Sequence, residues 1–211
     1  MRAVRLSLHR FDSRFRTVVR HASAARDRTE TVIVSAHVAS GETGYGEACP
    51  RAYVTGESID SIKRFFHRHR AGLEHQVIGL ASLLDWRDRH AEEIGANPSA
   101  YCAIELALLD AIARTEGVGL DTLLSLPPPV GEHRYSAVLG DSPWLAYRFQ
   151  LQRYRRAGFR DFKLKLSPDP RRNQGKVAAF RVARGNVRVR ADANNLWPDA
   201  AACIAALAPL D

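Results

Sequence analysis

Two short runs, Phe162-Lys163-Leu164-Lys165-Leu166 and Val187-Arg188-Val189-Arg190-Ala191-Asp192-Ala193-Asn194-Asn195-Leu196-Trp197, bracket the stretch whose reading decides the fold. In each, apolar or β-branched residues alternate with charged ones at period two and a turn follows, the pattern of a half-buried strand. Between them, Arg172 to Arg184 reads as one helix with Val177, Phe180, Val182 and Ala183 on its apolar side. Strand, helix, strand makes a βαβ unit. A parallel sheet of such units gathers functional groups at the C-terminal ends of its strands, where Lys165 and Asp192 both fall.

The same period decides where the lysines point. Lys163 and Lys165 project from one face of their strand and Leu164 and Leu166 from the other, so two ammonium groups share one small volume. Like-charge crowding disfavours the charged form, and a lysine made less basic by a neighbour and by partial burial can accept a proton near neutral pH. The competing meaning of a K-x-K pattern is an edge strand kept soluble by its lysines. Asp192 reads either as an oxygen ligand for a hard cation such as Mg²⁺ or as a helix-cap or turn residue.

Taken jointly, Lys163-Leu164-Lys165 and Arg190-Ala191-Asp192-Ala193-Asn194, with Trp197 three residues on, resemble the enolase superfamily in its muconate-cycloisomerase and dipeptide-epimerase branch, the mandelate racemase/muconate lactonizing enzyme group. The resemblance implies an α+β N-terminal capping domain, with a three-stranded antiparallel meander and helices, followed by a (β/α)₈ barrel of the TIM type. It places the K-x-K at the end of the second barrel strand and the acid at the end of the third. It also implies roles: Lys165 as the acid/base catalyst on one face, Lys163 as its electrostatic neighbour and a contact to the substrate carboxylate, and Asp192 as the first of three Mg²⁺ ligands. Asn194, Arg20 and Tyr53 are the further substrate-binding candidates.

The rest of the chain agrees in order. Val4 to Leu8 and Thr31 to Ala39 alternate as strands, and Gly41-Glu42-Thr43-Gly44 turns the chain into a third run at Tyr45 to Ala48. Phe11 to Arg28 reads as a polar, arginine-rich loop long enough to be functional, as a lid would be, and Cys49 to Glu57 as a second loop. In the family these two loops, here carrying Arg20 and Tyr53, close over the barrel. Helices follow, with Ser58 and Ser82 as expected caps and the strongest one from Pro98 to Glu116, where Asn97 is the expected cap and Gly117 follows the end. Glu105 and Asp110 lie in that otherwise apolar helix, and the expectation is a structural acid paired with an arginine. Pro127-Pro128-Pro129 cannot continue a helix, so the domain boundary is placed there, giving a capping domain at 1–126 and a barrel portion at 131–211. Beyond it, Tyr135 to Leu139 is the first barrel strand, Asp141 or Ser142 the cap of the helix that ends at Gly158, and Asp199 to Leu207 the start of the third helix.

Composition bounds the alternatives. The chain has 211 residues, 45% hydrophobic and 26% charged, which is ordinary for a globular protein. No run reaches the roughly 18 apolar residues of a membrane span, and Met1 to Arg5 lacks the apolar core of a signal peptide, so a cytoplasmic protein is expected. Cys49, Cys102 and Cys203 are far apart and have no zinc spacing. The net charge of +8 raises nucleic-acid binding, but the basic residues are scattered. Their densest run, Lys63 to Arg70, lies on a helix whose Ile59, Ile62, Phe65 and Phe66 form the buried side, leaving the charges as a solvated face. No specific nucleic-acid or membrane partner is expected.

A closed barrel takes roughly 250 residues, whereas Gly131 to Asp211 provides three strand–helix units. The chain is therefore expected to be a fragment, the N-terminal half of the family's enzymes, and inactive alone. The complete enzyme would be a Mg²⁺-dependent racemase or epimerase acting on a small carboxylate substrate, an amino-acid derivative or dipeptide, and a homo-oligomer is compatible with it. A muconate-type cycloisomerase or an o-succinylbenzoate synthase-like enzyme ranks second, and what speaks for it against an epimerase is that the strand position that carries threonine in dipeptide epimerases is Ala137 here, beside Ser136. A non-catalytic basic binding module is the reading from a different class.

Overall fold

The computed structural model describes residues 4–21, 24–128, 130–181, 186–194 and 196–210. Its elements in order are β1 (Val4–His21), β2 (Ala24–Val38), β3 (Thr43–Ala48), α1 (Ala52–Thr55), α2 (Ile59–Gln76), α3 (Leu80–Arg89), α4 (Ala91–Ala96), α5 (Pro98–Glu116), α6 (Leu120–Leu123), β4 (Ala137–Leu139), α7 (Trp144–Arg156), β5 (Asp161–Lys165), α8 (Pro170–Arg181), β6 (Arg188–Asp192) and α9 (Ala200–Leu207). They fall into two compact units, residues 1–16 with 28–130, and residues 17–27 with 131–211. No described helix is long and apolar enough to cross a membrane.

In the first unit the sheet order is β1-β2-β3, with β2 and β3 antiparallel in the register Val34 opposite Gly46. The alternation seen in the sequence is the burial pattern: Val32, Val34 and Ala36 are fully buried while Glu47 opposite Ile33 faces outward. Helix α5 covers β3 at unusually close range. A Cβ at Gly46 would sit 2.1 Å from the Ala103 carbonyl oxygen, and one at Gly44 2.2 Å from that of Ala107. Only glycine on the strand, facing Ala103, Ala107 and Ala111 at helical spacing, permits that approach. Asp110 closes the same contact, accepting from the Tyr45 backbone N–H at 3.0 Å and pairing with Arg114 at 2.9 Å, the structural role expected for an acid in this helix.

Several caps differ from the sequence reading. Ser58 does cap α2, reciprocally with Ser61. Helix α3 instead starts after Gly79, and Ser82 sits inside its first turn, accepting from the Ile78 and Gly79 N–H groups. Asn97 precedes α5 without capping it; its amide donates to the Glu93 carbonyl. The orphan donors of α5 are taken by Glu57, whose carboxylate accepts from Ser99 N at 2.8 Å and Ala100 N at 2.9 Å and is 97% buried as a consequence of that position. A carboxylate there also faces the positive end of the helix dipole.

The largest departure is at Phe11–Arg28. The expected loop is regular structure, because β1 runs through His21 and β2 starts at Ala24. The arginines that made this stretch look unstructured alternate with Val18, Phe11 and Phe15, which are exposed, so polar composition masked an extended two-stranded arm. The second expected loop contains the single turn α1.

In the second unit β4, β5 and β6 form a parallel sheet in sequence order. Ala137, Leu139, Phe162, Leu164 and Leu166 bury one face against Tyr147 and Leu151 of α7 and Phe180 of α8. The helix expected at Arg172–Arg184 starts earlier, at Pro170, and its last expected residues lie outside the described ones. Asp199 caps α9 through the Ala202 N–H at 2.8 Å. Helix α7 begins after Pro143 with no side-chain cap, so Asp141 and Ser142 do not have the expected role; Asp141 is engaged by two cations instead.

Candidate active site

Strand parity turns Asp161, Lys163 and Lys165 of β5 away from the buried face, together with Val138 of β4 and Asp192 of β6. The parallel register sets Lys163 beside Arg190 and Lys165 beside Asp192. At the C-terminal ends of β5 and β6 both ammonium groups converge on one carboxylate oxygen: Lys163 Nζ lies 2.7 Å and Lys165 Nζ 2.8 Å from Asp192 Oδ2. Asn194 turns back over the pair with a left-handed backbone, φ 45°. Its side-chain oxygen accepts from Lys165 Nζ and its N–H donates to Asp192 Oδ1 at 3.1 Å. Four residues named from the sequence, Lys163, Lys165, Asp192 and Asn194, are thus brought into one hydrogen-bonded group.

The electrostatics differ from simple lysine crowding. The two ammonium groups do share a volume, but the Asp192 carboxylate stands between them, so opposite charge offsets the repulsion. The effect on the acid is large: hydrogen bonds from Lys163 and then Lys165 hold the Asp192 carboxyl at about 2, against 3.8 ordinarily. Lys165 is the more enclosed of the two lysines, with its side chain 23% exposed against 40% for Lys163.

Tyr53 lies on α1 in the first unit, half exposed. Arg20 belongs to β1, and its side chain lies outside the described residues, as does Asn195 of the quoted motif. Ala137 is buried in the sheet–helix core opposite Phe162, so it cannot present a group at the inner face. The hydroxyl of this region belongs to Ser136, which accepts from Arg190 Nη2 at 2.8 Å.

As a place for Mg²⁺, the donors are of the right kind and too few. Asp192 Oδ1 and the Asn194 amide oxygen are hard oxygens, but one carboxylate shared with two ammonium groups does not hold a hexacoordinate dication. Among the described residues no three His, Cys, Asp or Glu groups converge.

No family model matches the chain. In sequence it is 30% identical over 187 residues to the L-Ala-D/L-Glu epimerase of Bacillus subtilis, covering 87% of this chain and 49% of that enzyme. In structure it superposes on the muconate lactonizing enzyme of Mycobacterium smegmatis in complex with muconolactone, with a TM-score of 0.85 and 25% identity, over all of this chain and 58% of the other. It also superposes on a dipeptide epimerase of Methylococcus capsulatus complexed with Mg and L-Arg-D-Lys, with a TM-score of 0.83 and 22% identity, over all of this chain and 59% of that one.

An antiparallel meander with helices, followed by parallel strand–helix units that end in a lysine pair and an acid, defines the class as the enolase superfamily. Within it the chain is related to the dipeptide-epimerase and muconate-lactonizing branch, and it spans about half the length of the curated relatives it matches.

Proposed function

We propose that this chain carries the acid/base lysine and one metal ligand of a Mg²⁺-dependent racemase or epimerase that moves the proton beside a carboxylate in an amino-acid derivative or dipeptide. The observation that carries the reading is the convergence of Lys163 and Lys165 on Asp192 Oδ2 at the strand ends.

Each residue has a task set by its position. Lys165 is the proton carrier: its nitrogen is enclosed and oriented by Asp192 and Asn194, and a lysine can exist in both protonation states, which the task requires. Lys163, more exposed, offers its ammonium to a substrate carboxylate, and doing so would draw it away from Asp192. Asp192 would be one ligand of the cation, which when bound supplies charge stabilisation for the enolate formed beside the carboxylate. The remaining ligands and an opposite-face base must come from residues other than those described here, so the 211-residue chain alone is expected to be inactive.

The test is exchange of the substrate α-proton with solvent deuterium, followed by NMR over a panel of dipeptides and N-acyl amino acids. It is run on the 211-residue chain and on a version extended to close the barrel. Exchange only in the extended form supports the reading. Lys165-dependent turnover by the 211-residue chain would refute the division of labour, and no exchange by the extended, folded form with any member of the panel would refute the reaction class.

A further inference from the structure

Three polar residues are almost fully buried behind the lysine strand: Ser167 (3% exposed), Asn173 (4%) and Lys176 (2%). None lies on the face that carries Lys163 and Lys165. Burying an ammonium group and an amide is costly unless every donor finds a partner, and the partners here are specific. Lys176 Nζ donates to the Lys165 backbone carbonyl at 2.9 Å and to Asp141 Oδ1 at 2.7 Å. Asn173, one turn earlier on α8, takes the Ser167 N–H on its oxygen at 2.8 Å and returns its amide to the Ser167 carbonyl, also at 2.8 Å. From the other side the Leu166 N–H donates to the Asp192 carbonyl at 2.9 Å. The backbone leaving β5 at residues 165, 166 and 167 is therefore held at three consecutive residues, two of them by side chains of α8.

Strand β5 ends at Lys165, and past the single Leu166–Asp192 backbone bond the ladder no longer holds the chain, so a strand end of this kind would ordinarily fray. An amine that exchanges protons with a substrate carbon must be placed to within a fraction of an ångström. We propose that Asn173 and Lys176 are positioning residues: they clamp the main chain at Lys165–Ser167 and so fix the root from which the Lys165 side chain reaches Asp192 and Asn194. The inference deepens the reading of Lys165 as the proton carrier and rests on it for its purpose, but the clamp itself is a claim about placement that needs no substrate to examine. Asp141 completes the device. Its carboxylate neutralises Lys176 and also pairs with Arg172 at 3.1 Å, so the turn after β4 is drawn into the same cluster. The conserved volume of a methionine at 176 could fill the space but could not hold the carbonyl.

The chain contains only four lysines, Lys63, Lys163, Lys165 and Lys176, so a lysine-selective ¹⁵N spectrum of side-chain ammonium groups is simple enough to assign with one variant per residue. The experiment compares wild type, Lys176→Met, Lys176→Arg and Asn173→Ala in the 211-residue chain. It reads hydrogen exchange at the Lys165 ammonium group and at the Leu166 and Ser167 amides, with the Phe162 and Leu164 amides as controls inside the strand. Lys176→Met and Asn173→Ala should each speed exchange at the Lys165 ammonium and at residues 166 and 167 by roughly tenfold or more, with Phe162 and Leu164 unchanged. Lys176→Arg, which keeps charge and donors, should return it toward wild type. Unchanged Lys165 exchange in both weakening variants overturns the proposal. Uniform acceleration at every amide also overturns it, since that is loss of global stability and not release of a clamp. If Lys176→Met does not fold, Asn173→Ala, which leaves the buried ion pair intact, decides alone. Failure of the proton-carrier reading would appear separately, as a well-held Lys165 in an extended protein that exchanges no α-proton.

Discussion

Lys165 and Asp192 stand directly opposite one another in the parallel register of β5 and β6, and the ammonium of one lies 2.8 Å from a carboxylate oxygen of the other. The pair is a consequence of strand parity and register together: a slip by one residue would turn Lys165 into the apolar core. Its second lysine, Lys163, reaches the same oxygen from two residues back.

Replacing Lys165 with arginine keeps a cation beside Asp192 but substitutes for an amine that can give up and regain a proton a guanidinium that stays protonated. In a protein extended to close the barrel, Lys165→Arg is expected to retain substrate binding within a few-fold and to lose α-proton exchange. Deuterium incorporation measured by NMR, alongside calorimetric binding, checks both halves.

The low carboxyl of Asp192 makes a pH prediction. A folded-state value of about 2 against 3.8 means that the ion pairs add stability which is fully present above pH 3.8 and is lost as pH falls through about 2. Asp192→Asn should therefore be less stable than wild type at neutral pH, by on the order of 1 kcal/mol after allowing for the solvent exposure of Lys163. The two proteins should converge as the pH drops from about 4 to 2. Urea midpoints across that range are the measurement, and a constant gap would contradict the assignment.

Close packing of α5 on β3 predicts opposite effects for two glycine substitutions. Gly46→Ala places a methyl 2.1 Å from the Ala103 carbonyl oxygen, so the helix must move, at about 3 kcal/mol. Gly72→Ala in the interior of α2, where the nearest atom would be 3.8 Å away, should stabilise by about 0.5–1 kcal/mol. Thermal denaturation of the two variants gives both signs.

Glu57 holds the first turn of α5 from across the fold. Glu57→Ala frees the Ser99 and Ala100 N–H groups in a buried setting and should cost about 1–2 kcal/mol. Hydrogen exchange should rise first at those two amides.

We further propose a domain boundary at Pro127–Gly131. Leu126 and Val130 are exposed there, 55% and 82%, and limited proteolysis is expected to cut just beyond it and leave a fragment near residues 1–126. Uniform resistance through this stretch would count against the boundary.

What could be read from the sequence alone was governed by local rules. Period two in 162–166 and 187–192 set which side chains share a face, since Cβ direction alternates by covalent geometry. Ser58, Pro98 and Gly117 marked helix ends because capping and left-handed backbone are decided within a turn. The lysine pair and the acid of the candidate site were placed on that basis, while the asparagine was named through the family resemblance. The tertiary structure decided the partners. Glu57 over Asn97 as the cap of α5, Asp141 as a counter-ion and not a cap, one carboxylate between two lysines, and the grip of α8 on the end of β5 all join groups separated in sequence. Composition misled at Phe11–Arg28, where arginine-rich strands looked like a loop. Pairing of strands and the match of buried donors to acceptors depend on which surfaces meet, and no periodicity along the chain encodes that meeting.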